Sequence, residues 1–204
     1  MKYLYLDTFS GLSGNMFIGS MLDLGLSLDD LQRELKKIKL DGYHLTFEKK
    51  AQSAIYGTFF DVELDNDMGT KDHGFDEHSL KGHHHGHVRH LSEIIELIQS
   101  SELSENVKKH AINIFNDIGR AEAKAHNLSM SEVHFHEIGA TDSLIDIIGS
   151  CVALDLMGID SVVSSPISDG HGFVNVAHGQ MPVPVPAVAN MLANSNVPIR
   201  QRVD

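Results

Sequence analysis

Tyr3-Leu4-Tyr5-Leu6-Asp7-Thr8-Phe9-Ser10-Gly11-Leu12-Ser13-Gly14-Asn15-Met16 is the stretch on which the fold turns. Tyr3 to Leu6 is a short apolar run that reads as a strand. Ser10 to Gly14 breaks it with two glycines, and from Met16 to Leu24 apolar residues recur at helical spacing. A strand that passes through a glycine turn into a helix opens an α/β (or α+β) chain.

Working outward, Ser27 is placed to cap a second helix whose Leu28, Leu31, Leu35 and Ile38 share one face. Leu45 and Phe47, then Ile55 to Leu64, read as two strands. In the second, Tyr56, Thr58, Phe60, Val62 and Leu64 alternate with the opposite face. Periodicity vanishes from Asp65 to about His87, which reads as a His-rich, disordered insertion between two halves. Beyond it a helix runs through Leu91, Ile94, Ile95 and Ile98. A longer one buries Val107, Ala111, Ile114, Ile118, Ala121 and Ala125. Glu132 to Ile138 is extended, and Thr141 or Asp142 caps an apolar helix that runs to about Met157. Ser161–Ser165 and Phe173–Val176 read as strands. Met181 to Pro186 has proline at every second position and is extended. A short helix through Val188, Met191 and Leu192 closes the chain. The expected architecture is small mixed sheets flanked by helices. Residues 1–65 form a strand-loop-helix and hairpin subdomain, 66–87 a mobile loop, and 88–204 a helical and mixed α/β subdomain.

The chain has 204 residues and a net charge of -12, so it repels phosphate backbones and anionic lipid and attracts cations. Nucleic-acid and membrane partners are therefore not expected. Its single cysteine, Cys151, allows no intrachain disulfide and no thiolate zinc site, and reads as a core residue. With no signal-peptide pattern and no apolar run of ~20 residues, the expected setting is the cytoplasm. Histidine is the outlier: of 14, seven lie between residues 73 and 90.

Those seven, His73, His78, His83, His84, His85, His87 and His90, offer neutral imidazoles suited to nickel, zinc or copper. A solvated loop without a metal role is the plainer alternative. A second candidate is Glu132-Val133-His134-Phe135-His136-Glu137-Ile138-Gly139-Ala140-Thr141-Asp142. On a strand Glu132, His134 and His136 share one face while Val133 and Phe135 enter the core. Glu137 and Asp142 follow as carboxylates, and Asp142 and Asp146 share a helix face. Imidazole with carboxylate suits nickel, zinc or iron. Two surface histidines beside a helix cap would look the same. The turn of Asp7, Ser10, Gly11, Ser13, Gly14 and Asn15 is a third candidate, because its backbone N–H groups can approach an anion at a helix N-terminus. It lacks the lysine of a nucleoside-triphosphate loop, and an ordinary turn has the same composition. His171 and His178 flank a further glycine-rich stretch. Glu122 and His126 fit a solvated helix edge.

Together, Asp7 with Ser10 to Met16, Ala121-Glu122-Ala123 with His126, His134 to Ser143 with Asp146-Ile147, and His178 to Pro184 resemble the LarC family of nickel insertases. The His-rich insertion between the halves fits as well. The resemblance covers essentially the whole chain and the N-terminal half of a longer family. It implies insertion of Ni2+ into pyridinium-3,5-bisthiocarboxylic acid mononucleotide, which completes the nickel-pincer cofactor of lactate racemase. It further implies CTP hydrolysis with Mn2+ or Mg2+, a C-terminal CTP-binding portion as partner, and the lactate racemase apoprotein downstream. The precursor offers a phosphate, two thiocarboxylates and a ring carbon that loses a proton as nickel bonds to it. The expected roles are the Asp7–Asn15 turn for the anion, His134 and His136 with the loop histidines for nickel, and Glu137 or Asp142 as base. The competing reading is a non-catalytic nickel store or metallochaperone.

Overall fold

The structure, a computed structural model, describes residues 1–52, 54–65, 89–135, 138–176 and 179–201. The opening strand β1 (Tyr3–Leu6) and the helix α1 (Gly14–Asp23) lie where the periodicity places them. Helix α2 (Leu28–Leu35) starts from Ser27, whose side chain accepts the Asp30 N–H. Leu31, Leu35 and Ile38 are buried, as their spacing requires. Strands β2 (Tyr43–Gln52) and β3 (Ile55–Leu64) form an antiparallel hairpin in the register Phe47 to Phe60. Alternation holds over Phe59 to Val62, with Phe60 and Val62 buried and Phe59 exposed, whereas Tyr56, expected on the inner face, is exposed where the hairpin leaves the core.

Past residue 88 come β4 (Arg89–His90), α3 (Leu91–Ser100) and α4 (Glu105–His126). A 3-10 turn at Met130–Glu132 leads to β5 (His134–Phe135) and then α5 (Thr141–Leu156). The chain continues through β6 (Ser161–Ser164), β7 (Ile167–Asp169), β8 (Phe173–Val176), β9 (Gly179–Pro182), α6 (Pro186–Ala193) and β10 (Ile199–Gln201). Among the described residues every sheet is a pair: β1 with β6 and β7 with β10 parallel, β2 with β3, β4 with β5 and β8 with β9 antiparallel. The mixed α/β class with small sheets holds.

Helix α5 is the hub. It packs against α1, α2, α4 and β3, and Leu144, Ile145, Ile148 and Val152 are buried along it. Each such side chain contributes about 1.5–3 kcal/mol by leaving water. Residues from both sides of segment 66–88 join one core, so the subdomain division is one of sequence composition, which the core crosses. Three expectations need correction. Along α4 the buried stripe runs Val107, Ala111, Phe115 and Ile118, with Ile114 turned outward and Ala123 rather than Ala125 inward. The cap of α5 is Ala140, the last extended residue before the helix, and neither Thr141 nor Asp142. Glu132 belongs to the 3-10 turn and not to a strand. Among the described residues no helix is long and apolar enough to cross a membrane.

Candidate functional site

Parallel β1 and β6 both end at the turn of residues 7–13, the position where open α/β sheets receive ligands. The turn is pinned by Thr8, which is buried. Its N–H donates to Ser165 Oγ at 2.8 Å, and its carbonyl accepts from Gly11 N at 3.2 Å and Ser168 N at 3.3 Å. Gly11 has φ +86°, a left-handed conformation that suits glycine. Asp7, Ser10 and Ser13 are exposed around this anchored backbone.

Helix α1 begins at this turn and meets α5. A Cβ on Gly14 would fall 2.5 Å from the Asp146 Oδ2, so the absence of a side chain admits the carboxyl. The Asn15 backbone N–H hydrogen-bonds that carboxylate, and the Asn15 side-chain amide donates to Asp61 Oδ1 at 3.0 Å. Burial pushes the Asp146 carboxyl up to about 6; the Asp142 and Asp61 charges add to this and the Asn15 N–H opposes it. Asn15 Oδ1 and Asp146 Oδ1 are buried and find no hydrogen-bond donor among the described residues. Two orphaned acceptors are relieved by a proton or a cation.

Consequently the mouth of α1 is not an open anion cradle. Its Asn15 N–H is taken by Asp146 and its Met16 N–H by Ser13 Oγ at 3.2 Å. Three carboxylates surround it, which disfavours a phosphate there and leaves Ser10 to Ser13 as the part open to ligand. Asp61 carried no signal in the sequence. Asp146 had one, its spacing from Asp142, but nothing in the sequence revealed Gly14 and Asn15 as its neighbours.

The second cluster lies just before α5. Strand β5 pairs with β4 so that His134 stands opposite His90, with ring centroids 5.8 Å apart in a T-shaped arrangement. Val133 and Phe135 are buried, as strand alternation requires. The His134 Nδ1 lies 3.0 Å from the Glu132 carbonyl oxygen, which only accepts, so Nδ1 carries a hydrogen. Glu132 turns away to Ser129, accepting its N–H at 3.0 Å and its hydroxyl at 2.6 Å. Those bonds hold its carboxyl below the usual range. His90 is thus the loop histidine that the fold brings beside His134. Arg89 donates to the Gly139 carbonyl and ties this pair to the start of α5. Asp142, in the first turn of α5, accepts the Ser143 N–H at 2.7 Å.

His83, His84, His85, His87, His136, Glu137 and His178 lie outside the described residues, as do His73 and His78. Among the described residues no three His, Cys, Asp or Glu side chains gather closely enough to hold a metal ion. Glu122 Oε2 lies 3.3 Å from His126 Nε2 one turn apart on α4. Cys151 is a core residue whose thiol burial pushes up to about 11.

The family model described as nickel insertion protein matches residues 4–204. The pyridinium-3,5-bisthiocarboxylic acid mononucleotide nickel insertion protein of Lactiplantibacillus plantarum is 56% identical over 100% of this chain and 49% of its own length. Proteins of the same name from Acetivibrio thermocellus and Geobacillus kaustophilus are 44% and 45% identical, over 97% and 94% of this chain. The chain spans about half the length of the relatives it matches. No solved structure matches it.

Proposed function

Since this chain belongs to the family of nickel insertion proteins, we propose that it holds nickel and pyridinium-3,5-bisthiocarboxylic acid mononucleotide together and takes up the ring proton lost when nickel bonds to carbon. The observation that carries this reading is the Asp146 carboxyl, seated against Gly14 and Asn15 beside the ligand-facing turn, with its pKa at about 6 and one oxygen unpartnered. A base whose pKa lies near the working pH is both available and strong enough to accept a proton. Asp146 is therefore favoured over Asp142, which keeps its carboxylate on the Ser143 N–H, and over Glu137.

In this reading Ser10, Gly11 and Ser13 with Asp7 border the precursor, while Gly14 and Asn15 seat the base. His90 and His134 receive nickel, with His136 as a third donor and His83, His84, His85 and His87 collecting the ion beforehand. Three imidazoles leave coordination positions open for the precursor's thiocarboxylates, as a metal that must be handed on requires. The triphosphate of CTP does not fit these residues, because carboxylates face α1 and the turn carries no lysine. We assign that nucleotide to the half of the family chain not spanned here. Delivery of the finished cofactor to lactate racemase apoprotein, in the cytoplasm, belongs to the same proposal.

Calorimetric titration of nickel and of the precursor into this chain tests the reading. Binding of both is expected, and binding of nickel alone would make the chain a nickel store or metallochaperone.

A further inference from the structure

No described residue after Ala153 is buried, although six elements follow it. The parallel pair of β1 and β6 shows what is missing. Leu4 is paired with Val162 and Tyr5 with Val163, so Leu4 and Val162 face one side and Tyr3, Tyr5 and Val163 the other. On the first face Leu4 is buried and Val162 is 44% exposed, while on the second Tyr3 is 60%, Tyr5 64% and Val163 49% exposed, with no buried residue among them. A parallel sheet is ordinarily covered on both faces by helices. Here one face carries a bare apolar strip, the kind of surface that marks an interface.

We infer that the outer face of the β1–β6 sheet, formed by Tyr3, Tyr5 and Val163, docks an amphipathic helix from the half of the family chain that this sequence does not span. The relatives are about twice as long as the stretch they share with this chain, so a polypeptide of comparable size accompanies it in each of them. Residues 66–88 are a poor cover, since Met68, Phe75, Leu80 and Val88 are their only large apolar side chains. This inference rests on family membership and on the bare sheet, and does not depend on the chemistry proposed for Asp146.

Hydroxyl-radical footprinting reads the surface directly. This 204-residue chain is compared with the same chain continued into the remaining half of the Lactiplantibacillus plantarum relative. Tyr3 and Tyr5 are expected to lose reactivity about fivefold or more in the continued chain, while Tyr56, exposed on the β2–β3 hairpin, keeps its own. Val163→Asp in the continued chain should restore Tyr3 and Tyr5 to the level of the short chain, with the short chain's melting temperature unchanged by the same substitution. Equal Tyr5 reactivity in both chains overturns the inference. So does protection in the short chain that appears only with dimerisation in the ultracentrifuge, which would make a second copy the occupant. A continued chain that protects Tyr5 but binds no precursor would sink the proposed function alone.

Discussion

Gly14 and Asp146 occupy one space: a Cβ on Gly14 would lie 2.5 Å from the Asp146 Cβ, Cγ and Oδ2. Because the Asp146 Cβ is among those atoms, turning the carboxyl aside cannot relieve the contact, and α1 and α5 must separate. Gly14→Ala is expected to cost about 1–3 kcal/mol through overpacking. In thermal unfolding that is roughly 2–4 °C per kcal/mol for a chain of this size. A Gly14→Ala protein as stable as its parent would show that the helices are not in contact there.

Asp146→Asn separates stability from chemistry. The carboxyl rises from 3.8 to about 6 on folding, so between those values the native state keeps a proton that the unfolded chain has lost. Stability therefore falls as pH rises through this window and remains lower above it. Asparagine removes that penalty. The gain at pH 7 should be ~1 kcal/mol, discounted because Asp146 is partly exposed, and it should vanish by about pH 4. Insertion by the complete enzyme should fall by a factor on the order of 100 or more, with nickel and precursor affinities nearly unchanged. In the parent protein the insertion rate should rise with pH and level off above about 6. A variant that inserts nickel normally would remove Asp146 from the chemistry.

Gly11 distinguishes precursor from metal. Its φ of +86° makes any side chain strained, and its backbone lies in the open part of the turn. Gly11→Val should weaken precursor binding more than nickel binding in calorimetry, since the metal is proposed to sit at His90 and His134. Equal losses would point to a folding defect.

What the sequence disclosed follows from range. The alternation of Phe60 and Val62 and the Ser27 cap are local patterns, written in neighbouring residues, and they read correctly. The α4 stripe slipped by one position because Ile114 and Phe115 both satisfy the spacing from Ala111, and only the packing partner decides between them. Strands β7 and β10 were missed because three-residue strands carry no periodicity, and their pairing joins Ile167 to Ile199. The site was legible in its parts and not in its assembly. The Gly14 turn and the Asp142–Asp146 spacing were both visible, but only the packing of α1 on α5 brings them together. His90 was grouped with the loop histidines by composition, although its strand pairing sets it beside His134.

Removing residues 72–87 should lower the number of nickel ions bound, because it removes six histidines. Phe75 and Leu80 are the only large apolar side chains lost, so the melting temperature should change little. Calorimetry that returns the same nickel stoichiometry would end the reservoir role of this segment.

The His90–His134 pair makes the sharpest demand. Antiparallel pairing fixes the two backbones opposite each other, and burial of Phe135 keeps the intervening face in the core, so the imidazoles share the remaining face. The Glu132 carbonyl accepts from His134 Nδ1 and so orients the ring, and nickel would be taken by Nε2 of the neutral imidazole. A site seated on paired strands and tied by Arg89 to the Gly139 carbonyl is more rigid than a loop site. His90→Ala and His134→Ala should each weaken the tightest nickel site at least about tenfold, roughly 1.4 kcal/mol. The double variant should lose more than either single one, because it leaves only His136 of the proposed donors. His134→Ala should change stability by less than about 1 kcal/mol, since His134 is half-buried, whereas His90→Ala also alters the N-cap of α3 and should cost about 1 kcal/mol. Gly139→Ala should imitate these losses without touching an imidazole. Its Cβ would come within 2.6 Å of the Phe135 carbonyl oxygen and 3.2 Å of Arg89 N, forcing β4 and β5 apart. If both histidine variants bind and transfer nickel as the parent does, the pair is structural, and the delivery site must be sought around Asp61, Asp142 and Asp146.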